Sequence, residues 1–375
     1  MAKRVYLDNA ATTPMDSRVV QVMTLMMKKV WANPSSIHQD GVAARSHIEE
    51  ARLKIANNLK AEPSEIFFTS GATESINLLI RSILDSSAIS HIITSALEHP
   101  AVLESIKYLA TEKNIPVSFV PFDALGHLDL QSFEDLLKQN PQSLVALMHA
   151  NNELSNLLPI KKVAKLCREN GAYFFSDTVQ SVGKLSIDFS QSLFDFAIGS
   201  AHKFHGPKGI GFLYIRKGMK INPLLLGGAQ ERNMRAGTEN LPAIVGMAEA
   251  LNIANQELDQ ALEHISILKE YLLDRVIHEL PFIEFNGDLN GIHSIVNLAL
   301  PLTHFKKMVI FNLDVAGISV SGGSACSSGV MNISHVIKAL GRDKDYVPVR
   351  VSFSKYNSIS DVDRLVDLLI KYGKK

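Results

Sequence analysis

Short apolar runs alternate with amphipathic helical stretches from about residue 43 to about residue 250, and this alternation constrains the fold most strongly. Strand and helix in turn predict βα units and a mainly parallel sheet covered by helices on both faces. The predicted strands are Ile66–Thr69, His91–Thr94, Pro116–Pro121, Leu144–His149, Tyr173–Ser176, Asp195–Gly199 and Gly211–Ile215. The predicted helices are Ala43–Leu59, Thr73–Leu84, Ala101–Glu112, Leu130–Gln139 and Ile160–Asn170. A Gly-rich connection without a helix joins the last two strands, so we expect that pair to be antiparallel.

The pattern changes after about residue 255, where helical periodicity and isolated strands replace the βα units. The predicted elements are a long helix over Ala248–Leu280, strands near His293–Leu300, Ile318–Ser321 and Val349–Ser354, and a final helix over Ser360–Tyr372. A chain of 375 residues is too long for one ordinary core. We predict a large domain over residues 13–255 and a smaller α+β domain formed by residues 1–12 and 256–375, which the segment Val5–Leu7 joins.

Composition excludes several classes of partner. Lys plus Arg and Asp plus Glu number 38 each, so no net field draws the chain to nucleic acid or to an anionic membrane. No apolar run approaches the roughly 20 residues that span a bilayer, and no signal peptide is recognisable at the start. Two cysteines, Cys167 and Cys326, make a disulfide framework improbable. We expect a cytoplasmic protein without a metal ion, with no direct contact to nucleic acid or membrane.

Polar segments follow several predicted strands, at the edge where open α/β sheets bind ligands. In Thr69–Ser75, Gly71 permits a tight turn before a helix whose free N–H groups fit a phosphate, although an ordinary capped loop also explains it. His99 suits stacking or proton transfer, or else simple helix capping. The segment Asn151–Glu153 fits polar recognition or a turn equally well. The absence of G-x-G-x-x-G and Walker A patterns disfavours a nucleotide fold.

Two further segments carry charge at this edge. Asp177 ends a buried apolar strand, where a carboxylate is costly unless it is paired. A pyridinium N–H is one such partner, and the alternative is a structural Asp that caps the next turn. Lys203 and Lys208 follow the next strand, and either could form an imine with an aldehyde cofactor. Spacing alone does not choose between the two lysines.

The two cysteines lie in contrasting contexts. Cys326 lies in the small-residue run Ser321–Gly329, which predicts an exposed, mobile loop and makes the thiol a candidate nucleophile or an incidental surface cysteine. Cys167 lies in a helical stretch with apolar spacing and is predicted to be a packed core thiol.

These segments together resemble the cysteine desulfurases of the NifS/IscS type, within the class-V aminotransferases and the fold-type I enzymes that use pyridoxal 5'-phosphate (PLP). The resemblance covers nearly the whole chain, in the order Tyr6–Pro14, Asn33–His38, Ser70–Ser75, Glu98–Pro100, Asn151–Glu153, Asp177–Gly183, Ser200–Gly211, Gly227–Asn240 and Gly323–Ser328. It implies an α/β large domain with a mainly parallel seven-stranded sheet, plus a smaller α+β domain.

The resemblance also implies a role for each matching residue. Lys203 would form the imine with PLP, Asp177 would pair with the pyridine nitrogen, and His99 would stack on the ring. The residues implied near the ring hydroxyl are Gln180 and Asn152, and those implied at the phosphate are Ala72, Thr73, Ser200 and His202. Thr238 would reach the phosphate of the neighbouring subunit, which implies a homodimer. The residues implied for substrate binding are Asn33, Asn152 and Arg350; an Arg suits a carboxylate because its planar fork offers two hydrogen bonds.

The implied reaction converts L-cysteine to L-alanine and leaves a persulfide on Cys326. The sulfur would pass to an acceptor protein, either an iron–sulfur scaffold or a tRNA-thiolation protein. A selenocysteine lyase or a cysteine-sulfinate desulfinase would share every cofactor residue. An aminotransferase would not need Cys326, and a non-catalytic partner would need none of the site residues.

Three segments depart from the family pattern. Leu154-Ser155-Asn156 stands where relatives usually carry Gly, and Ala229 and Asn233 stand where glycines are common. After Arg350 the chain reads Val-Ser-Phe-Ser-Lys-Tyr, where relatives usually have Ser-Leu-Gly-Arg-Phe. These departures bear on substrate preference and partner contacts more than on PLP binding.

Overall fold

The computed structural model describes residues 4–86, 89–191, 193–322 and 333–373. Its strands are β1 (Val5–Tyr6), β2 (Ile66–Thr69), β3 (His91–Thr94), β4 (Val117–Phe119), β5 (Ser143–Ala146), β6 (Tyr173–Asp177), β7 (Phe196–Ser200), β8 (Gly211–Ile215), β9 (Glu284–Asn286), β10 (Ile295–Pro301), β11 (Ile318–Ser319) and β12 (Tyr346–Ser352). Its α-helices are α1 (Ser17–Lys29), α2 (Gln39–Leu59), α3 (Ala72–Ser86), α4 (Pro100–Lys113), α5 (Leu130–Gln139), α6 (Ile160–Glu169), α7 (Leu241–Gln256), α8 (Leu258–Glu279), α9 (Val309–Val315), α10 (His335–Ala339) and α11 (Ile359–Gly373).

A seven-stranded sheet forms the centre of the fold, in the order β2-β8-β7-β6-β5-β3-β4. Strand β8 runs antiparallel to both of its neighbours, β2 and β7, and the remaining pairs are parallel. The predicted mainly parallel sheet is therefore confirmed, and so is its antiparallel final pair. These strands read as continuous apolar runs because helices cover both faces of the sheet.

The register at β8 brings separate strand ends together. Gly211, the first residue of β8, lies opposite Thr69 on one side and opposite Ser200 on the other. Since Thr69 and Ser200 both end their strands, the loops that follow them start side by side at one edge of the sheet. Parallel strands β6 and β7 end at that same edge, which makes it the place to look for a ligand site.

Residues beyond the large sheet form two smaller sheets. One is antiparallel, in the order β12-β10-β9, and the other pairs β1 with β11 in parallel. The opening segment thus pairs with strand β11 from the C-terminal part of the chain.

One predicted element is wrong. The helix expected over Ala248–Leu280 is two helices, α7 and α8, with a break at Glu257. The apolar periodicity continues through the break, so the pattern gave no sign of it. The carboxylate of Glu257 binds Arg18 and Lys355, which are distant in sequence, and such contacts leave no local signal.

Apolar side chains gather in three main cores. One lies on the sheet face that α2, α6 and α7 cover, and another lies on the face that α3 and α4 cover. A third joins α8, α11, β10 and β12 with Val5 and Leu7 from the start of the chain. The exact division into domains at residue 255 stays a prediction. Among the helices in the described ranges, none combines the length and the apolar character that a membrane span requires.

Candidate active site

A cavity of about 510 Å³ opens at the edge of the sheet where β6 and β7 end. Its volume is typical of a site for a small ligand. Ten of the residues predicted for the site line this one cavity: Ala72, Thr73, His99, Asn152, Asp177, Gln180, Ser200, His202, Lys203 and Arg350. Lys208, the competing lysine, also contributes to the wall but is exposed.

Lys203 ends a short 3-10 turn that follows β7 directly. Its Nζ donates hydrogen bonds to the backbone carbonyls of Ala10 and Ala11, at 2.7 Å and 2.9 Å. These two carbonyls therefore hold the amine in the wall of the cavity. Sequence reasoning gave Ala10 and Ala11 no individual role, because a backbone carbonyl carries no side-chain signal.

Asp177 is the last residue of β6 and is buried. Its Oδ1 accepts a hydrogen bond from the backbone N–H of Val179 at 2.9 Å, as a capping Asp would. Burial raises the pKa of its carboxyl group, and the nearby His99 and Lys203 oppose that shift. A cationic N–H donor in the cavity would therefore pair with a carboxylate whose charge burial disfavours, and the pair would favour its charged form.

His99 caps the N-terminus of α4, where Pro100 occupies the first helical position. Its Nδ1 accepts a hydrogen bond from the N–H of Ala101 at 3.1 Å, so the neutral ring carries its proton on Nε2. Burial lowers the pKa of His99, which favours that neutral form. The sequence suggested helix capping and ligand contact as alternatives for His99. In the structure His99 caps α4 and also lines the cavity.

The start of α3 faces the cavity beside Ser200, as the register at β8 requires. A Cβ at Gly71 would lie 3.8 Å from the Ser200 hydroxyl, which is ordinary van der Waals contact. The free N–H groups of the first turn of a helix bind anions well. Glu74 would oppose an anion there, but Arg235 pairs with its carboxylate at 2.8 Å. The sequence did not point to this compensating pair.

His202 lines the wall near the same helix start. Its Nδ1 lies 3.1 Å from the hydroxyl of Thr12. Burial, with smaller contributions from Lys203 and other lysines, lowers the pKa of His202 to about 4. The ring is therefore neutral at neutral pH and can donate one N–H to a ligand.

Arg350 reaches the cavity from β12, although its side chain is only 2% exposed. One terminal nitrogen donates to the backbone carbonyl of Asn152 at 2.9 Å, and the other donates to Asp8 at 2.8 Å. Its Nε is buried and has no hydrogen-bond partner among the described residues. Arg350 thus keeps donor capacity for a carboxylate ligand. Asp8 was given no role from the sequence, and it holds this guanidinium in place.

Two predicted site residues, Thr238 and Asn33, lie outside this cavity, and a third is not among the described residues. Thr238 lines a separate cavity of about 210 Å³ together with Ser70 and Gly209. Asn33 is exposed, and its side-chain oxygen accepts a hydrogen bond from the N–H of Ser35 at 2.9 Å. Cys326 lies outside the described residues.

An α/β sheet of this order, with a lysine, a buried Asp and a capping His around one cavity, defines an enzyme of the fold-type I PLP class. The chain belongs to the class-V aminotransferase family, whose model matches residues 5–365. It is 38% identical over 380 residues to the cysteine desulfurase IscS of Dictyoglomus turgidum, covering 100% of this chain and 96% of the relative. It is also 38% identical to the putative cysteine desulfurase IscS 1 of Bacillus subtilis, covering 96% of each chain.

Solved structures agree with this assignment. A protein described as NifS-like superposes with a TM-score of 0.90 at 36% identity, covering 98% of both chains. The apo structure of a cysteine desulfurase from Thermococcus onnurineus superposes with a TM-score of 0.89 at 27% identity, covering 99% of this chain and 94% of the other.

PLP is the cofactor of this family, and the cavity fits it. Lys203 provides an amine that can react with the aldehyde, and Asp177 provides a buried carboxylate that can bind the ring nitrogen. The start of α3 and the hydroxyl of Ser200 offer donors for a phosphate.

Proposed function

We propose that this protein is a PLP-dependent cysteine desulfurase that converts L-cysteine to L-alanine and carries the sulfur as a persulfide on Cys326. The observation that carries the proposal is the single cavity that joins Lys203, Asp177 and Arg350. An amine, a ring-nitrogen partner and a carboxylate-binding guanidinium are the groups that a PLP enzyme acting on an amino acid requires. Full-length similarity to cysteine desulfurases supports the same activity.

Each cavity residue has a distinct task in the proposed mechanism. PLP, when bound, supplies the electron sink that makes the α-proton of an amino acid acidic. Lys203 would hold the cofactor aldehyde through Nζ and later take the α-proton on the same atom. Asp177 would accept the hydrogen bond of the ring N–H, and an ion pair there would favour its charged form. Arg350 would orient the substrate by binding its carboxylate with two parallel hydrogen bonds.

Cys326 would receive the sulfur in the second half of the reaction. Its thiolate attacks the sulfur of the substrate, so an S–S bond forms while the Cβ–S bond of the substrate breaks. The electron pair of the broken bond stays with the carbon fragment, which takes up protons and leaves as alanine. Cysteine plus the Cys326 thiol therefore give alanine plus the persulfide, and the exchange needs no outside oxidant.

A pair of cysteine variants tests this assignment. Cys326→Ala should keep the cofactor absorbance and lose both alanine formation and sulfide release in the presence of a reducing thiol. Cys167→Ala is the matched control, because Cys167 is buried in the core and burial raises the pKa of its thiol. Full desulfurase activity in Cys326→Ala would refute the role of Cys326.

The proposal extends to a homodimer in which Thr238 contacts the cofactor phosphate of the neighbouring subunit. Thr238 lies outside the cavity of its own chain. Large apolar side chains are exposed nearby in sequence and at the chain start, with Leu226 at 83%, Trp31 at 81% and Ile37 at 95%. We propose that these side chains belong to the apolar surface that the neighbouring subunit covers.

Hybrid dimers test the shared site. Lys203→Ala and Thr238→Asp should each be inactive, the second because a carboxylate repels the phosphate. If Thr238 contributes to the site of the neighbouring subunit, each hybrid dimer contains one site without either change. About half of the dimers in an equimolar mixture are hybrids, so the mixture should regain about a quarter of wild-type activity. An inactive mixture, with hybrid formation shown by differently tagged chains, would refute the shared site.

The sulfur acceptor is proposed to be a protein, either an iron–sulfur scaffold or a tRNA-thiolation protein. Incubating the persulfide form of the enzyme, made with radiolabelled cysteine, with each candidate acceptor would identify it. The label should move to the acceptor from the wild type and should not appear on it with Cys326→Ala.

A further inference from the structure

Lys184 contacts the wall of the cofactor cavity through Gln180 without lining the cavity itself. It follows Gly183, whose φ of +71° is in the region that favours glycine. Its Nζ donates a hydrogen bond of 2.5 Å to Oε1 of Gln180. Lys184 and Lys203 both line a second cavity of about 60 Å³, and only Lys203 also lines the cofactor cavity. Any effect of Lys184 on a ligand in the larger cavity therefore passes through another residue.

The surroundings of Lys184 oppose its charge. Burial lowers the pKa of its ammonium to about 7, and the cations Lys203 and Arg350 add to that shift. The described residues provide no carboxylate within ion-pair distance of Nζ; its hydrogen bond goes to the neutral amide of Gln180. An amine placed where burial and neighbouring cations destabilise it is costly to the fold, and such groups are concentrated at functional sites.

The amide of Gln180 has a defined orientation because of this contact. The oxygen end of the amide faces Lys184 and accepts from its Nζ, and the carbonyl of Ala10 on the other side can only accept. The NH₂ end then faces the other way, where it donates to the carbonyl of Ala10 at 2.9 Å. The carbonyl of Ala10 also accepts from Lys203 at 2.7 Å. One chain of contacts thus links Lys184, Gln180, Ala10 and Lys203.

We propose that Lys184 is a positioning residue that fixes the amide of Gln180, so that an N–H of Gln180 faces the oxygen substituent on the cofactor ring. The proposal rests on the proposed function, because it needs PLP in the larger cavity with its ring hydroxyl towards Gln180. Without Lys184, Oε1 of Gln180 loses this donor and the bond to the Ala10 carbonyl alone directs the amide, so its N–H is less well aimed at the ring oxygen.

A double-mutant cycle on cofactor affinity tests this role. Apoenzyme is titrated with PLP, and the dissociation constant is read from cofactor absorbance in the wild type, Lys184→Met, Gln180→Ala and the double variant. We expect Lys184→Met to weaken PLP binding about three- to tenfold, the worth of one hydrogen bond, when Gln180 is present. In the Gln180→Ala background the same change should have no effect.

Controls separate the possible failures. Lys165→Met removes an exposed lysine from α6, with a side chain 73% exposed, and should leave PLP affinity unchanged. Lys184→Gln serves if the methionine variant does not fold, and it should also weaken binding because a second amide can accept either end of Gln180. Equal PLP affinity in wild type and Lys184 variants, or equal weakening in both backgrounds, would overturn the positioning role. A wild type that binds no PLP at all would instead overturn the proposed function, and the positioning role with it.

Discussion

Replacing Glu231 by Ala removes the partner of a buried arginine that lies along β2, the outermost strand of the large sheet. β2 is an edge strand, so the carbonyl of Ile66 and the N–H of Phe68 point away from β8. Arg52 donates to the Ile66 carbonyl at 2.8 Å, and Glu231 accepts from the Phe68 N–H at 2.8 Å. Arg52 and Glu231 also bind each other through two parallel hydrogen bonds of 2.9 Å and 2.8 Å. The pair therefore covers the edge and satisfies its backbone groups.

The cost of the change follows from burial. The side chains of Arg52 and Glu231 are each 3% exposed, so Glu231→Ala leaves a buried guanidinium without its buried carboxylate partner and the Phe68 N–H without its acceptor. Breaking a buried pair on one side costs about 3–5 kcal/mol. Arg52 keeps the Ile66 carbonyl and a partial contact with Glu49, so we expect a value near 3 kcal/mol, a roughly hundredfold change in the opening equilibrium of this edge.

Hydrogen exchange of a peptide that contains Phe68 measures the free energy of opening of β2 locally, without assuming that the whole chain unfolds in one step. The matched control is Glu49→Ala, which removes the other carboxylate on Arg52. Its side chain is 52% exposed, so that change should cost at most about 1 kcal/mol. Replacing Arg52 and Glu231 together by apolar residues should cost less than Glu231→Ala alone. Equal exchange in Glu231→Ala and Glu49→Ala would refute the reasoning.

Three more predictions test other parts of the structure. A hydrogen bond from Arg18 holds the pKa of Asp16 far below its ordinary 3.8. The ionised Asp16 therefore stabilises the fold fully at pH values above 3.8, and this stabilisation is lost progressively as the pH falls below 3.8. The difference in urea stability between wild type and Asp16→Asn should therefore shrink as the pH falls from about 7 to about 3. Arg350→Lys cannot form two parallel bonds to a carboxylate and should raise KM for cysteine about tenfold or more, with a smaller change in kcat. Gly183→Ala would place a Cβ 2.8 Å from Phe204 at a φ of +71° and should lower the thermal midpoint clearly more than Gly171→Ala, where φ is +67° and the space is open.

The large sheet could be predicted from the sequence because its strands are continuous apolar runs between turn residues. The predicted bounds of β2, β3 and β8 match the structure. The ends of these strands also identified the edge that carries Asp177 and Lys203. Local pattern was sufficient there because each of these residues follows directly from its own strand.

The contacts that hold the site together could not be predicted in this way. Asp8 and Arg350 pair across 342 residues of sequence, and Lys203 is held by backbone carbonyls of Ala10 and Ala11. Such contacts depend on how β1 and β12 lie against the large sheet, which local periodicity does not describe. The family resemblance pointed to these segments, but it assigned no role to Asp8 or to the two carbonyls.

The departures at glycine positions are accommodated by the backbone. Ser155 and Asn233 have φ of +66° and +65°, in the left-handed region that glycine adopts freely. Asn tolerates that region better than most residues, and Ser155 donates a 2.7 Å hydrogen bond to the carbonyl of Asp288, which helps to hold it there. Ala229 has a φ of −81°, so no glycine is required. None of these three residues lines the 510 Å³ cavity, which agrees with an unaltered cofactor site.

The departure after Arg350 has a different consequence, because Lys355 and Tyr356 contact residues that are distant in sequence. Lys355 binds both Asp16 and Glu257, at 3.0 Å and 2.6 Å, and the hydroxyl of Tyr356 donates to Asp16 at 2.9 Å. A phenylalanine in place of Tyr356 would lack that hydroxyl and could not make this bond. Glu257 is also the residue at which α7 ends and α8 begins. The helix break that periodicity missed and the departure from the family pattern therefore belong to one network of polar contacts. This network connects the segment after β12 with the start of α1 and with the junction of α7 and α8.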